Sequence, residues 1–532
     1  MKIYIFILMI SFAQSTQLIP FDWVGQFGLI KKNGALLINS DWYSNRLFFD
    51  GTFSSYPKQY GDYIDQGFRV NNNYKSQSFN DSNYVNSHVI YDQGDYLLDR
   101  FSFEVKKIAK KDIIQLNGFK RSYVGDNNQY SNNSYQPLQQ SYVLSFETRR
   151  KNEYGGFSIG HFDTFSGFPD TNKISLLKNK ITTSNIFWAR NFEKIKYIIS
   201  IDNFLEKFYS NHSLSSYKNP RFLTRSLFKN EFFLPNFHDF FFSFGIKVNS
   251  RDIQASSSYR TRWYSYFLKG NYKFLNYELE LSSYNHDSFF NYELDIEKYF
   301  GEISFKIFHK INNKPIHPYY YYSLNGKYLF SNEVYSFIRF KWDMLGGYFS
   351  STLSRIQDKS PMWNNIIPEL DSKSNLIGQE LYFMFETSLS PNFGLKLNYN
   401  FQQLASYHSG GLGDWFGIDL LSNFSLFKGY MDLEIIGSLK HYNKRSISFY
   451  VNPIEMVPIF DKELSDLESK NIVNGRIIAT VSSFKIKYEW FNILEILYNS
   501  LEDQRTNKID IHPKMPSIGR QANLSIEWHF LD

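Results

Sequence analysis

One pentapeptide of this chain has the spacing of a serine nucleophile. Gly156-Phe-Ser-Ile-Gly160 matches the pattern that holds a serine on a strained turn between a strand and a helix, and His161 and Asp163 follow it closely. Such groups serve hydrolases as nucleophile, base and orienting acid. The residues after Gly160 show no helical pattern, however, so we interpret the segment as a strand and predict no catalytic residue. A barrel enzyme that uses His161 and Asp163 near its outer rim remains an alternative.

Other residues with potential chemistry have simpler interpretations. The segment Asp461–Glu468 holds four carboxylates, which hard cations favour, but a solvated loop or short helix explains them. Gly410–Gly417 has closely spaced glycines without a dinucleotide pattern and is interpreted as a flexible outer loop. Tyr319–Tyr322 is interpreted as part of an aromatic girdle, with a sugar-stacking platform as the alternative. The 11 histidines lack zinc-type spacing, so we predict no metal and no cofactor.

Apolar and polar residues alternate over most of the chain. In Phe484-Lys-Ile-Lys-Tyr-Glu-Trp490 every second residue is apolar, and the segment Gly519–Phe530 repeats the pattern. A period of two puts the apolar side chains on one face of a strand. The runs are about 9 to 13 residues long, the length that a tilted strand needs to cross the hydrocarbon layer of a membrane. We therefore predict an all-β protein, a transmembrane antiparallel up-and-down β-barrel.

The connections between these runs predict the number of strands. Ten tight turns, among them Ser482-Ser483, alternate with longer polar segments, as in a barrel with short periplasmic turns and long extracellular loops. Ten turns join twenty strands, and one further strand at each end gives about 22, within a range of 18 to 24. The predicted turns include one at Asn332, and the predicted long connections include Val124–Pro137, Thr164–Lys180, Gln357–Ser374, His441–Asn471 and Leu501–Ser517.

The first residues predict export. Met1–Ile10 has one positive charge and a short apolar run, and small residues follow, so we predict a signal peptide over residues 1–15, cleaved after Ala13 or Ser15. The absence of cysteine excludes disulfides, thiolate chemistry and a lipoprotein anchor. The net charge of +6 is spread without a basic block, which gives no indication of nucleic-acid binding. The predicted location is the outer membrane of a Gram-negative cell.

The alternation also predicts which side chains face the lumen. Leu395, Leu397, Tyr399 and Phe401 are expected to face lipid, and the residues between them are expected to point inward. The candidate lumen-facing residues are Arg339, Lys341, Lys396, Asn398, Asn400 and Glu527.

A barrel of this size is expected to be filled. Two segments are available: residues 16–85, which form an extra hairpin or fill the lumen, and the long loops. Residues 86–532 are assigned to the barrel. The loop Gln357–Ser374 carries apolar side chains that a solvated loop seldom displays. We therefore predict that it folds inward or meets a partner, and the candidate constriction residues are Met362, Trp363, Ile366 and Ile367.

The last fifty residues resemble the end of the TonB-dependent receptor barrel and of the plugless porin-like proteins related to it. The strand Phe484–Asn492, the segment Lys514-Met-Pro-Ser-Ile-Gly-Arg520 and the closing strand carry the resemblance. The resemblance implies a 22-stranded barrel that transports a solute across the outer membrane. No functional residue of the family is transferred, because residues 16–85 show no counterpart of the family's plug domain.

The predicted function is solute transport by an integral outer-membrane barrel, porin-like or receptor-like. The alternatives are a structural or assembly barrel that binds a partner or surface polymer, and a barrel enzyme. The expected partners are outer-membrane lipids and the barrel-assembly machinery, with a surface partner or plug protein as a further candidate.

Overall fold

The computed structural model describes residues 17–18, 29–32 and 35–38 and most of residues 84–531. Within the latter range the gaps are 126–129, 132–136, 171–172, 193–194, 216–219, 236–238, 256–257, 273, 285–286, 316–329, 359–361, 365–366, 370–373, 405–413, 445–448, 452–457, 461–465, 467, 497–506, 509–516 and 518. The predicted signal peptide lies outside the described residues. In the described part of the chain, no helix has the length and apolar character needed to span a membrane.

Twenty-two strands form one closed antiparallel barrel. Each strand pairs with its neighbours in chain order, and the last strand pairs with the first. The fold class predicted from the alternation is confirmed. The barrel strands are β4 (Tyr84–Gly94), β5 (Leu98–Ile108), β6 (Asp112–Ser122), β7 (Leu138–Arg149), β8 (Glu153–Asp170), β9 (Lys173–Phe192), β10 (Ile195–Ser210), β11 (Arg221–Phe233), β12 (Phe240–Gln254), β13 (Ser258–Tyr272), β14 (Leu275–Tyr284), β15 (Asp287–Phe300), β16 (Ile303–Pro315), β17 (Phe330–Met344), β18 (Gly347–Asp358), β21 (Ser374–Ser390), β22 (Phe393–Leu404), β23 (Trp415–Leu426), β24 (Met431–Tyr442), β27 (Lys470–Val481), β28 (Phe484–Phe491) and β29 (Gln521–Leu531).

Two smaller sheets accompany the barrel. Before it, β1 (Gln17–Leu18), β2 (Leu29–Lys32) and β3 (Ala35–Ile38) form a three-stranded sheet. Between the barrel strands, β19 (Met362–Asn364), β20 (Ile367–Glu369), β25 (Phe449–Val451) and β26 (Pro458–Phe460) form a four-stranded sheet. Two one-turn 3₁₀ helices, Asp95–Leu97 and Phe427–Gly429, join barrel strands.

The predicted long connection Thr164–Lys180 is wrong. β8 continues to Asp170 and β9 begins at Lys173, and the two strands stay paired to their ends. The polar composition of this segment favours a loop. The alternation of a strand nevertheless continues through it, since every second residue, Thr164, Ser166 and Phe168, is buried on one face. A polar strand can continue outside the membrane as long as a neighbouring strand satisfies its backbone hydrogen bonds. β8 and β9 do this for each other, so both extend well beyond the length that crosses a membrane.

The predicted turn at Asn332 is also wrong, because this residue lies inside β17. Its side-chain amide donates a hydrogen bond of 2.9 Å to the Asn313 side-chain oxygen on β16, so the asparagine joins two strands. The turn lies at Leu345-Gly346 instead. Gly346 has a φ of +82°, a conformation that favours glycine.

Candidate functional site: the polar face of the barrel

The two faces of the barrel wall differ in chemistry, as β13 shows. Tyr264 and Tyr266 are 51% and 58% exposed, although both are large aromatic residues. Ser265, which lies between them, and Phe267, which follows them, are both buried. One face of the strand therefore offers apolar surface to its surroundings, and the other carries the packed and polar groups. We call this second face the polar face. Residues that are paired across neighbouring strands point to the same side of the sheet, so the polar face continues around the barrel.

Charged side chains on the polar face form a ladder across neighbouring strands. Lys247 on β12 contacts two carboxylates of β14, at 2.5 Å from Nζ to Glu280 Oε2 and 3.3 Å to Glu278 Oε1. Lys269 on β13 contacts Glu278 at 2.8 Å. Glu278 and Glu280 are two residues apart, so both side chains project from the same face of β14. The arrangement alternates cation and anion, which is how charges are held at low energetic cost in a partly buried site.

The ladder continues on β11. Lys229 Nζ lies 2.5 Å from Glu231 Oε2, and the Ser243 hydroxyl donates a hydrogen bond of 2.8 Å to Glu231 Oε1. The Phe267 ring lies beneath three ammonium groups, with centroid distances of 5.2 Å to Lys229, 4.9 Å to Lys247 and 5.6 Å to Lys269. The face of an aromatic ring attracts cations, so Phe267 makes cation–π interactions with all three lysines.

On the other side the ladder reaches β15 and β16. Lys306 Nζ lies 2.7 Å from Asp295 Oδ2, and Lys310 Nζ lies 2.8 Å from Glu293 Oε2. These side chains are about a fifth to two fifths exposed, whereas Lys229 and Glu231 are almost fully buried. The polar face is thus closely covered along β11 and more open along β15 and β16.

A cavity of about 910 Å³ lies against this ladder. Its wall contains charged groups of both signs from the ladder, together with apolar residues such as Phe233 and Pro235 that border the short turn between β11 and β12. The volume is in the range of small-molecule sites. Charges of both signs and apolar groups line the cavity, so it offers both ion pairing and apolar contact. The charged lining residues are Lys196, Glu231, Lys269, Glu278, Glu293 and Asp295.

Three of the six candidate lumen-facing residues lie together on β22, on the polar face. Asn398 and Asn400 are buried, whereas Tyr399 between them is 40% exposed. The Tyr382 hydroxyl donates to Asn398 Oδ1 at 3.3 Å. Lys396 lies 3.7 Å from Glu386, a weak and partly exposed ion pair.

The other three candidates lie elsewhere on the same face. Arg339 is opposite Lys306 in the register of β16 and β17, and its guanidinium lies over the Phe337 ring at 5.2 Å. Lys341 pairs with Asp343 at 2.6 Å. Glu527 on β29 contacts His88 on β4, across the closure of the barrel. The six therefore share a face of the wall without forming one local site.

The candidate constriction is described only in its main chain. Met362, Trp363 and Ile367 lie in β19 and β20, and Ile366 lies outside the described residues. β19 pairs in parallel with β26, with Trp363 opposite Ile459. The two long connections, 359–373 and 443–469, are therefore joined by backbone hydrogen bonds.

The hydrolase interpretation finds no geometric support in β8. The strand runs through Ser158, which is opposite Ser145 on one side and Asn185 on the other. His161 Nδ1 lies 3.3 Å from the Thr182 hydroxyl, and Asp163 pairs with Lys180 at 3.0 Å, so each contacts the neighbouring strand. Nothing in this strand resembles the sharp turn that a nucleophile elbow requires.

The remaining sequence candidates lie largely outside the described residues. Tyr319–Tyr322 and the glycines at 410, 411 and 413 are not described. Of the acidic segment 461–468, two carboxylates are described, and Lys444 lies 3.2 Å from Asp466 and 4.0 Å from Glu468. These contacts fit a solvated ion-pair cluster.

Comparison with known proteins gives matches of structure and none of sequence. No family model and no curated protein sequence matches this chain. The FrpB iron transporter from Neisseria meningitidis matches with a TM-score of 0.61 at 10% identity, over 85% of this chain and 82% of that one. A mutant of the ferric enterobactin receptor PfeA from Pseudomonas aeruginosa gives 0.61 at 10% identity, over 85% and 81%. The siderophore receptor PirA from the same organism gives 0.57 at 10% identity, over 85% and 81%.

The chain has the fold of a TonB-dependent receptor barrel. This confirms the resemblance seen in the C-terminal residues, at the level of the fold, with the closed barrel of 22 strands. The sequence did not reveal the charge ladder, because strand register decides which charges meet. The available signal was a pair of charges two residues apart within an alternating run, as at Glu278 and Glu280 or Lys229 and Glu231.

Proposed function

We propose that this protein is an integral outer-membrane barrel that transports a polar solute. The observation that carries the proposal is the closed wall with exposed aromatic and aliphatic side chains on one face and ion pairs on the other. Hydrocarbon favours the first face, and a wet lumen accepts the second. The likeness to solved iron and siderophore receptors supports transport as the role of this fold, while the solute carried by this chain is a separate question.

In this proposal the polar face surrounds the lumen, and Arg339, Lys341, Lys396, Asn398, Asn400 and Glu527 line it. The charge ladder from β11 to β16 supports a pathway for polar or charged solutes, because fixed charges of both signs replace part of a solute's hydration. The cavity beside the turn between β11 and β12 then lies along this pathway, at its periplasmic end.

We further propose that the connection 359–373 narrows the lumen. Its pairing with the connection 443–469 supports a joined structure that resists displacement better than a single loop does. Apolar side chains such as Trp363 and Ile367 fit a constriction rather than a solvated tip.

The experiment is conductance in planar bilayers, with the purified chain and a variant in which a short Gly-Ser linker replaces residues 359–373. We expect low conductance for the parent and a severalfold increase for the variant, together with greater sensitivity of cells to large antibiotics. A matched control replaces residues 499–513 of another long connection with the same linker. Equal conductance of parent and loop variant would assign the constriction to the part of the segment 16–85 that precedes β4, residues 16–83. If neither protein conducts ions nor admits solutes to liposomes, the partner-binding barrel becomes the better proposal.

A further inference from the structure

Two histidines and one glutamate meet where the first and last strands of the barrel close. Glu527 and His529 are two residues apart on β29, so their side chains leave the same face of the strand. His88 on β4 is directly opposite His529 in the register of this pair. Directly opposite residues of antiparallel strands have Cβ atoms about 5 Å apart. Strand pairing thus brings together groups that are 439 residues apart in the chain.

The donor atoms of these three side chains converge. The His88 and His529 rings are stacked, with centroids 3.9 Å apart and an angle of 7° between their planes. His88 Nε2 lies 3.0 Å from Glu527 Oε1, and His529 Nε2 lies 2.9 Å from the same oxygen. One ligand atom from each residue lies within 4.8 Å of the other two.

These separations fit a divalent transition metal. In a tetrahedral site with ligand bonds of about 2.0–2.1 Å, neighbouring donor atoms are about 3.3 Å apart. The two nitrogen–oxygen distances are therefore within a few tenths of an ångström of that spacing. Imidazole nitrogen and carboxylate oxygen are ligands that Zn²⁺ accepts, and three protein ligands leave a fourth position for water. The cation would replace the shared hydrogen bonds as the group that holds the three side chains together. Because a ring nitrogen binds a metal in the plane of its ring, the two imidazoles must turn out of their stacked arrangement when the cation binds.

The surrounding charges come from both neighbouring strands. Glu104 on β5 is opposite His88, and it interacts electrostatically with both imidazoles and with Lys106 on its own strand. Lys485 on β28 is opposite Glu527. Glu104 and the ligand Glu527 together offset Lys106 and Lys485, so these four groups carry no net charge before a cation binds.

We propose that His88, Glu527 and His529 form a binding site for a divalent transition metal of the Zn²⁺ class that links the first and last strands. All other neighbouring strands of the barrel are also joined by a chain connection, whereas β4 and β29 meet only through their pairing. A metal across this junction shares three ligands between the two strands and stabilises the closed form by mass action. The proposal concerns the wall itself and does not depend on whether a solute passes through the lumen.

The experiment uses the full chain, purified in detergent without a histidine tag. Zn²⁺ is titrated by calorimetry, and Co²⁺ serves as a spectroscopic probe, because its visible absorption reports the ligand geometry. We expect one equivalent of Zn²⁺ to bind and the unfolding temperature, read from heat-modifiable gel migration, to rise with Zn²⁺ and fall with a chelator. The variants H529A and E527Q are expected to weaken binding at least about tenfold and to abolish the rise.

The matched control is H441A, which removes an exposed histidine whose ring contacts Asn471 and Asn443 on another part of the wall. This variant is expected to bind Zn²⁺ as the parent does. His529 is half exposed at the end of β29, so H529A keeps the strand pairing, and gel migration of the unheated protein verifies closure. The proposal is overturned if Zn²⁺ does not bind, if H529A and E527Q bind it as tightly as the parent, or if binding leaves the unfolding temperature unchanged. In that case the three side chains form a hydrogen-bonded cluster only.

Discussion

Lys247 is the residue whose replacement best tests the charge ladder. It is 15% exposed and contacts Glu278 and Glu280, so the variant K247M leaves two partly buried carboxylates without this cation. Removing one partner of a buried ion pair costs about 3–5 kcal/mol. Glu278 keeps Lys269 at 2.8 Å, so the loss falls mainly on Glu280 and we expect about 3 kcal/mol, the low end of that range.

The assay is equilibrium unfolding by urea in phospholipid vesicles, followed by tryptophan fluorescence. The matched control is K341M, because Lys341 and Asp343 form an ion pair that is 39% and 52% exposed, and such pairs contribute little. A second test is the double variant K247M/E280M. Replacing both charges of a buried pair with apolar groups is often neutral, so the double variant should regain most of the lost stability.

Two results would refute this reasoning. If K247M and K341M shift the urea midpoint equally, burial does not govern the strength of these ion pairs. If the double variant is no more stable than K247M, the cost of the single replacement does not come from an uncompensated carboxylate.

Three further predictions test the faces, a turn and the closure of the barrel. An arginine at Leu397 should lower the free energy of unfolding by about 2–4 kcal/mol if that side chain meets lipid near the midplane. A lysine at Asn398 should be tolerated, because this position lies close to the Asp419 carboxylate. Equal urea midpoints of the two variants would contradict the assignment of faces. Alanine at Gly346 should destabilise the folded barrel by about 1–2 kcal/mol, because a Cβ in this left-handed conformation meets a backbone oxygen at 2.5 Å. The control is alanine at Gly437, which has open space around it and should leave the urea midpoint unchanged. Truncation after Ser517 removes β29, which pairs with both β28 and β4. Immunoblots of outer-membrane fractions should then show almost no assembled protein, because the open strand edges leave backbone groups unpaired. Deletion of residue 532 alone is the control and should leave the amount of assembled protein unchanged.

The period of two explains how much of the fold the sequence predicts. Because successive side chains alternate between the faces of a strand, the runs around Tyr399 and Trp490 identify strands and give the strand number. The same rule fails to locate strand ends in polar segments. β8 and β9 leave the apolar region and continue as paired strands, and no residue in Thr164–Lys180 marks the transition.

The candidate sites depend on the register between paired strands, which cannot be predicted from the sequence pattern alone. Glu278 and Lys247 meet because β13 places β12 and β14 on either side of itself with a particular offset. His88 and His529 meet only because the barrel closes, so spacing along the chain gives no indication of their contact. Local pattern therefore predicts which face a residue occupies, and the closed sheet decides which residues become neighbours.

The unequal lengths of the strands give the barrel a rim of unequal height. β9 has 20 residues, and β23 and β24 have 12 each. With a rise of about 3.4 Å per residue and a tilt near 40°, these lengths correspond to heights of about 50 Å and about 30 Å. The apolar band of such barrels is about 25 Å tall. One side of the wall therefore stands about 20 Å above the opposite side, and because paired strands are stiff, this elevation is a fixed screen. In the proposed orientation it rises from the outer cell surface, so large molecules such as antibodies or phage fibres meet the ends of β8 and β9 before the lower strands of the described wall.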